Sequence, residues 1–197
     1  VAAGVLTVRP ATIDDAYAIA RLHVQAWQRA YAGILPDETL AALDVDARAT
    51  RWRENLGRRE GAETRVALHG HHLRGFASFG PYRLAQDRAN PDPRYGEVYA
   101  IYVDPEHFGA GTGRVLMDAA VAGLAGRGWA EIRLWVLEAN LRARRFYERY
   151  GFAVDTAPDA YAGFTVDRPG ADPVQLPEVR YRLAVGDAGN GTAPREG

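Results

Sequence analysis

The sequence predicts one α/β domain of the α+β kind, and three observations lead there. Seven short runs rich in β-branched and aromatic residues alternate with segments of helical periodicity. Two of those runs meet across an H-G-H-H turn at residues 69–72, which is the mark of a hairpin. A third run, E-V-Y-A-I-Y-V from Glu97, empties through D-P-E-H-F-G-A-G-T-G into an Arg-led apolar helix.

In chain order, residues 5–9 form a strand that Pro10 ends, and Thr12 with Asp15 forms a capping box that opens a helix running to about Ala30. Ile13, Tyr17, Ala20, Val24 and Trp27 recur at helical spacing along it. Gly33 and Pro36 break the chain before a second helical region over 37–56. The hairpin strands are 63–68 and 73–82, and 83–96, with two prolines, reads as a loop before the central strand 97–103. A helix over 113–125 carries Leu116, Ala120 and Leu124 on one stripe. Strand 131–136, helix 141–150 stopped by Gly151, and strand 152–155 follow. Residues 158–177 hold several Gly and Pro and read as a long loop, by length a lid candidate. Strand 178–183 closes the sheet, so the domain is expected over 5–184 with a disordered tail over 185–197. The chain has no internal repeat.

At 197 residues the chain is long enough for one core. A net charge of −1 and a pI near 6.6 argue against a nucleic-acid partner. No run of about 18 apolar residues and no basic-then-apolar leader is present, so a soluble cytoplasmic protein without a membrane partner is expected. All 24 strong cations are Arg, which excludes a lysine P-loop and lysine Schiff-base chemistry. The absence of Cys excludes a thiolate nucleophile and a cysteine zinc site, and the single serine, Ser78, lacks a nucleophile-elbow context.

The segment from Glu97 has the wiring of a diphosphate grip. Gly109, Gly111 and Gly113 allow a sharp turn and close approach of an anion to the backbone, and the next helix turns its positive end to the same place. Arg114 adds a forked cation beside it. The G-A-G-T-G-R run lacks the G-x-G-x-x-G register of a dinucleotide fold and lies past the chain's midpoint, which disfavours an NAD-dependent oxidoreductase.

Two motifs carry a resemblance to the GCN5-related N-acetyltransferase (GNAT) family: the strand-glycine-helix segment over 102–116, and L-W-V-L-E-A-N-L-R-A-R-R-F-Y-E-R-Y-G-F over 134–152. The second fits V-x-x-x-N-x-x-A-x-x-F-Y-x-x-x-G-F. W-Q-R-A-Y-A-G-I-L-P over 27–36 also looks like the acceptor-side helix and loop of bacterial members. The likeness spans nearly the whole chain. It implies a mixed, mostly antiparallel sheet of about seven strands with flanking helices, the fourth and fifth strands splayed around acetyl-CoA. It departs from the family at Phe108, where a Gln or Arg is usual.

The resemblance further implies residue roles. Tyr147 takes the place of the general acid, and Asn140, Arg144, Phe146 and Tyr147 that of cofactor contacts on one helix. Glu97 matches a catalytic glutamate acting through water. Ile101, Tyr102 and Val103 supply the strand beside the acetyl and pantetheine groups, and Phe108, Gly109, Ala110, Gly111, Thr112, Gly113 and Arg114 supply the pyrophosphate loop. Each has a plainer alternative: a core aromatic for Tyr147, a solvated strand end for Glu97, a tight turn for the glycines. Trp27, Tyr31, Tyr82 and Tyr161 read as acceptor-pocket walls, with packing as the alternative. His69, His71 and His72 read as a solvated turn, and no metal is expected. The arginines at 142, 144, 145 and 149 read as the wet face of a helix, with Arg144 in reach of cofactor phosphate. The implied activity is acetyl-CoA-dependent N-acetylation of a small-molecule or peptide primary amine by direct attack in a ternary complex. A non-catalytic acyl-CoA sensor is the alternative, and family habit suggests a homodimer.

Overall fold

In the computed structural model the described residues are 5–58, 61–84, 91–168 and 170–185. Of the tail expected over 185–197, Val185 is ordered, donating its N–H to the Ala130 carbonyl at 2.8 Å, and the rest lies outside the described residues. Eight strands are present among the described residues: β1 (Leu6–Pro10), β2 (Glu63–His69), β3 (His72–Tyr82), β4 (Asp92–Val103), β5 (Glu131–Leu137), β6 (Ala153–Val154), β7 (Tyr161–Arg168) and β8 (Ala171–Ala184). They form one sheet in the order β1-β2-β3-β4-β5-β8-β6, with β7 also on β8. All pairs are antiparallel except β4 with β5. The central strand starts at Asp92, so part of the segment expected as a loop is sheet.

The β4–β5 ladder is short. Only Gly96↔Ile132 and Glu97↔Arg133 pair, and beyond them the two strands part. A cause lies on the other edge of β4, where Ser78 pairs with Ala100 but Phe79 pairs with Val98, leaving Tyr99 as an extra residue. Such a bulge bends and twists its strand, and here it falls two residues after the last β5 partner. Tyr99 is fixed in place, donating its hydroxyl to the Pro81 carbonyl at 2.6 Å with the Arg83 guanidinium 3.7 Å over its ring.

Helices cover both faces. On one lie α4 (Thr112–Ala125) and α5 (Leu141–Tyr150). Leu116, Met117, Ala120 and Leu124 of α4 are fully buried against Phe79, Ile132 and Leu134, and each large side chain among them contributes about 1.5–3 kcal/mol. On the other face lie α1 (Ala16–Ala30) and α3 (Val45–Gly57), where Ile19 and Leu22 meet Val66, Phe76 and Trp52. The helix expected over 37–56 is two, α2 (Asp37–Ala41) and α3, the latter capped by Asp44, whose carboxylate accepts from the Ala47 N–H at 2.8 Å. Ile13 and Tyr17 are exposed, whereas Ala20 and Val24 of the expected stripe are buried, together with Ala16, Ile19 and Leu22.

The segment 158–177 is not a loop. It is most of a hairpin, β7 and the outer half of β8, turning at Gly170 with φ +71°. Phe164, Val166, Val174 and Leu176 pack on Leu35 and Leu40 beside Trp27 and Tyr31, laying the hairpin over one end of the sheet. Arg168 ties it to Glu38 of α2 at 2.9 Å. β6 and β7 lie along the same edge of β8, interrupted where the chain loops around Arg180. The Arg180 guanidinium is 2% exposed and donates to Asp155 at 2.7 Å, Asp159 at 2.8 Å and the Tyr82 hydroxyl at 3.0 Å.

This buried cation makes the fold acid-sensitive. Burial opposes ionisation of Asp155, yet the Ala157 N–H and Arg180 hold its pKa below the ordinary value, and Arg180 lowers that of Asp159. Carboxyls depressed on folding stabilise fully above the unfolded value of about 3.9, and that contribution is lost as pH falls through the folded values. Asp155→Asn is expected to cost about 3 kcal/mol at pH 7 and to flatten the acid limb. Urea midpoints measured from pH 6 to pH 2 check this, and parallel acid limbs in variant and parent would contradict it.

Candidate active site

Where β4 and β5 part lies a cleft of about 1350 Å³, larger than the roughly 300–1,000 Å³ typical of a single small-ligand pocket. It has room for two reactants.

One end is the glycine loop. Gly109 and Gly111 hold φ of +84° and +86°, a region costly for any side-chain-bearing residue, while a Cβ on Gly113 would stand 3.3 Å from the Phe146 ring. Among the described residues, the N–H groups of Gly109, Gly111, Thr112 and Gly113 have no protein acceptor. They lie at the start of α4, whose N-terminus suits an anion. Arg114 lines the cleft here, with its Nε on Asp118 at 3.1 Å and its guanidinium over Tyr150. Phe108 lines it too, under the guanidinium of Arg142 at 3.6 Å. Ala110 belongs to the loop without lining the cleft.

The middle of the cleft is the freed edge of β4. The Asp104 N–H bonds to the Arg74 carbonyl on β3, so by strand alternation Tyr102 also turns its main-chain groups to β3 and Ile101 and Val103 turn theirs toward the parting. Side chains alternate likewise. Ile101 and Val103 pack on the α4 side and Tyr102 on the α1 side, where its side chain lines the aromatic end of the cleft. The cleft is also lined by Asn140, just before α5, and by Phe146 and Tyr147 of α5. Asn140 caps the helix, accepting from the Ala143 N–H at 3.1 Å. Tyr147 is 8% exposed, and its hydroxyl has no hydrogen-bond partner among the described residues. Burial, helped by Tyr102, drives its pKa well above the ordinary phenol value, so it stays protonated. Arg144 is absent from this wall because Nε donates to the Tyr181 hydroxyl and a terminal nitrogen to the Glu138 carbonyl.

The other end is aromatic. Trp27 Nε1 donates to the Tyr102 hydroxyl at 2.9 Å, which lies 3.3 Å from that of Tyr31. Burial raises the pKa of both phenols. His23 sits 4.7 Å from the Tyr102 ring, and its Nδ1 accepts from Trp52 Nε1 at 3.4 Å. Two carboxylates line this end. Glu97 accepts from the Arg83 N–H at 2.8 Å and from its guanidinium at 3.0 Å, and Glu178 lies near enough to contribute to the raised pKa of Tyr31 and Tyr102. Of the expected pocket walls, Trp27 and Tyr31 line the cleft. Tyr82 does not, being buried under Arg180, and Tyr161 is exposed at the outer start of β7.

His23, Arg83, Phe164 and Glu178 line the cleft without having been singled out from the sequence. Only His23 left a readable trace, four residues before Trp27 on the same helix face. His69 and His72 pair across the β2–β3 turn, and among the described residues the only potential ligand cluster is Asp104, Glu106 and His107, where Arg74 already bonds Asp104.

The Acetyltransferase (GNAT) family pattern matches residues 20–152. The chain belongs to the GNAT family. As a GNAT protein it is an acetyltransferase, 32% identical over 145 residues to a Bacillus subtilis protein described as the uncharacterized N-acetyltransferase YuaI, a match covering 74% of this chain and 79% of that protein. It is 37% identical over 146 residues to the mycothiol acetyltransferase of Gordonia bronchialis, covering 66% of this chain but only 45% of that protein. The fold matches the PaiA N-acetyltransferase of Thermoplasma acidophilum, solved with coenzyme A, at a TM-score of 0.64 and 18% identity over 92% of this chain and 99% of the other. It matches YncA of Salmonella typhimurium, solved with acetyl-CoA, at 0.61 and 23% over 96% and 99%. No helix among the described residues is long and apolar enough to cross a membrane.

The aromatic end carries a checkable protonation state. Burial first, then the charge of Arg48, lowers the His23 pKa to about 3, and the Trp52 bond to Nδ1 leaves the ring proton on Nε2. Nitrogen-detected NMR should show a neutral, Nε2-protonated His23 throughout pH 5–8. The unfolded chain takes up this proton near pH 6.5, so stability should also decline as pH falls from there toward 3. A ring titrating near 6.5 in the folded protein would refute the assignment.

Proposed function

We propose that this GNAT protein transfers acetyl from acetyl-CoA to a primary amine of a small molecule or peptide by direct attack within the cleft. The observation carrying this is the freed β4 edge, with the glycine loop at one end and the protonated Tyr147 across from it. The unpartnered N–H groups of the loop suit a pyrophosphate, and the β4 N–H groups of Ile101 and Val103 suit the acyl oxygen and the carrier's amide chain, stabilising charge as it develops on that oxygen. CoA complexes of structural relatives support the same donor.

The amine enters from the aromatic end. As its nitrogen bonds to the acyl carbon and the carbon–sulfur bond breaks, Tyr147 gives its proton to the departing sulfur and is later reprotonated from solvent. The proton lost by the amine goes through water to a carboxylate of this end. Glu97 remains the first candidate, but Arg83 occupies a lone pair on each of its oxygens. Glu178 is the second.

Tyr147→Phe keeps the packed ring and removes a hydroxyl with no protein partner. It should lower kcat by about 10²–10⁴ while leaving the Kd for acetyl-CoA within about twofold. An unchanged kcat would remove Tyr147 from the acid role. CoA-thiol release over a panel of amino acids, polyamines, aryl amines and peptide N-termini tests the activity and identifies its acceptor class.

With an acceptor in hand, Glu97→Gln and Glu178→Gln are compared. Loss of the true base should move the rising limb of kcat/KM to higher pH, toward the acceptor's own pKa. The variant whose profile does not move excludes its residue.

A further inference from the structure

Two of the arginines that line the cleft are held by carboxylates. Arg83 is paired with Glu97 and Arg114 with Asp118. Arg142 is different. It projects from the first turn of α5, and its guanidinium lies 3.6 Å over the Phe108 ring. Both residues line the cleft at the glycine loop. Among the described residues the guanidinium has no carboxylate and no hydrogen-bond acceptor. Stacking on an aromatic face fixes the plane of a guanidinium while leaving its in-plane N–H donors directed outward. Phe108 immediately precedes Gly109, so this oriented fork stands beside the unpartnered loop N–H groups.

We propose that Arg142, seated on Phe108, is a phosphate-binding residue for the donor's pyrophosphate, with Phe108 as the platform that orients it. This rests on the acetyl-CoA reading above. The loop supplies neutral N–H donors and the partial charge of the α4 end, and Arg142 supplies a full charge with bidentate geometry. The loop and α5 are thereby joined across the donor, since Arg142 leaves from the turn that Asn140 caps, one turn before Tyr147.

Calorimetry with acetyl-CoA on the full chain tests it, using the parent protein, Arg142→Gln, Phe108→Leu and, as a charge control, Arg145→Gln, whose residue lies on the same helix outside the cleft lining. Arg142→Gln should weaken binding about tenfold, Phe108→Leu several-fold, and Arg145→Gln less than twofold. The Arg142→Gln penalty should persist with 3′-dephospho-acetyl-CoA and vanish for turnover of S-acetylpantetheine, which has no phosphate. Restoring a guanidinium in the double variant Phe108→Arg with Arg142→Gln should recover part of the affinity.

Equal affinities for Arg142→Gln and Arg145→Gln would overturn the proposal. So would a penalty that disappears with the 3′-dephospho donor, which would place the contact on the 3′-phosphate. If the parent protein binds no acetyl-CoA, the donor reading itself fails. If the parent binds and Arg142→Gln binds equally well, only the role of Arg142 falls.

Discussion

After Glu97 the parallel ladder between β4 and β5 ends, and main-chain groups that a regular sheet would pair are left facing a cleft. A buried amide without a partner costs about 1–3 kcal/mol, so a sheet tolerates such an opening only where the groups meet solvent or a ligand. The extra residue Tyr99 makes the opening hard to close. Shifting β4 by one residue to resume pairing would turn each later side chain to the opposite face, burying Tyr102 among the α4 contacts and stripping the α1 face of Phe76's partner. The bulge is braced by the same residue that holds the nearest carboxylate, because Arg83 lies over Tyr99 and pairs with Glu97. Opening, brace and carboxylate are one unit.

That dependence explains what could be read in advance. The glycine loop, the hairpin at 69–72 and the helix stop at Gly151 are local devices whose signals sit within a few residues of where they act, and each appears at its expected place. The hairpin over 161–184 was obscured by Pro169, Pro173 and Pro177, which resemble loop punctuation, although inward Phe164, Val166, Val174 and Leu176 follow strict alternation. An outer hairpin on the sheet edge tolerates prolines that a central strand would not. The pleat turns the side chain of Tyr102 to the face opposite those of Ile101 and Val103.

Long-range electrostatics left no trace in the sequence. Arg180 meets Asp155, Asp159 and Tyr82 from separations of 25, 21 and 98 residues, and nothing local marks a β-strand arginine as buried. Its location nevertheless matters to the cleft. The loop between β6 and β7 wraps this cation, and β7 then runs on to place Phe164 beside Trp27. A buried ion cluster is weak evidence of stabilisation by itself; here its clearest structural role is to set where β6 ends and β7 begins.

The exclusive use of Arg fits this arrangement. A guanidinium can stack and hydrogen-bond at once, whereas an ammonium is a compact point charge. Arg83 stacks on Tyr99 while it holds Glu97, Arg114 stacks on Tyr150 while it holds Asp118, and Arg180 donates to Tyr82 while it holds two aspartates. The result is a cleft with unlike ends. At the glycine loop the free groups are donors, which favour an anion. At the aromatic end the phenols are held protonated, the imidazole is held neutral and two carboxylates line the wall, which suits a group that arrives as an ammonium and must lose its proton. Tyr147 lies between these ends, with its hydroxyl uncommitted and kept in the acid form by burial. This polarity suits the proposed pairing of an anionic carrier with a cationic acceptor, with Tyr147 as the proposed proton donor between them.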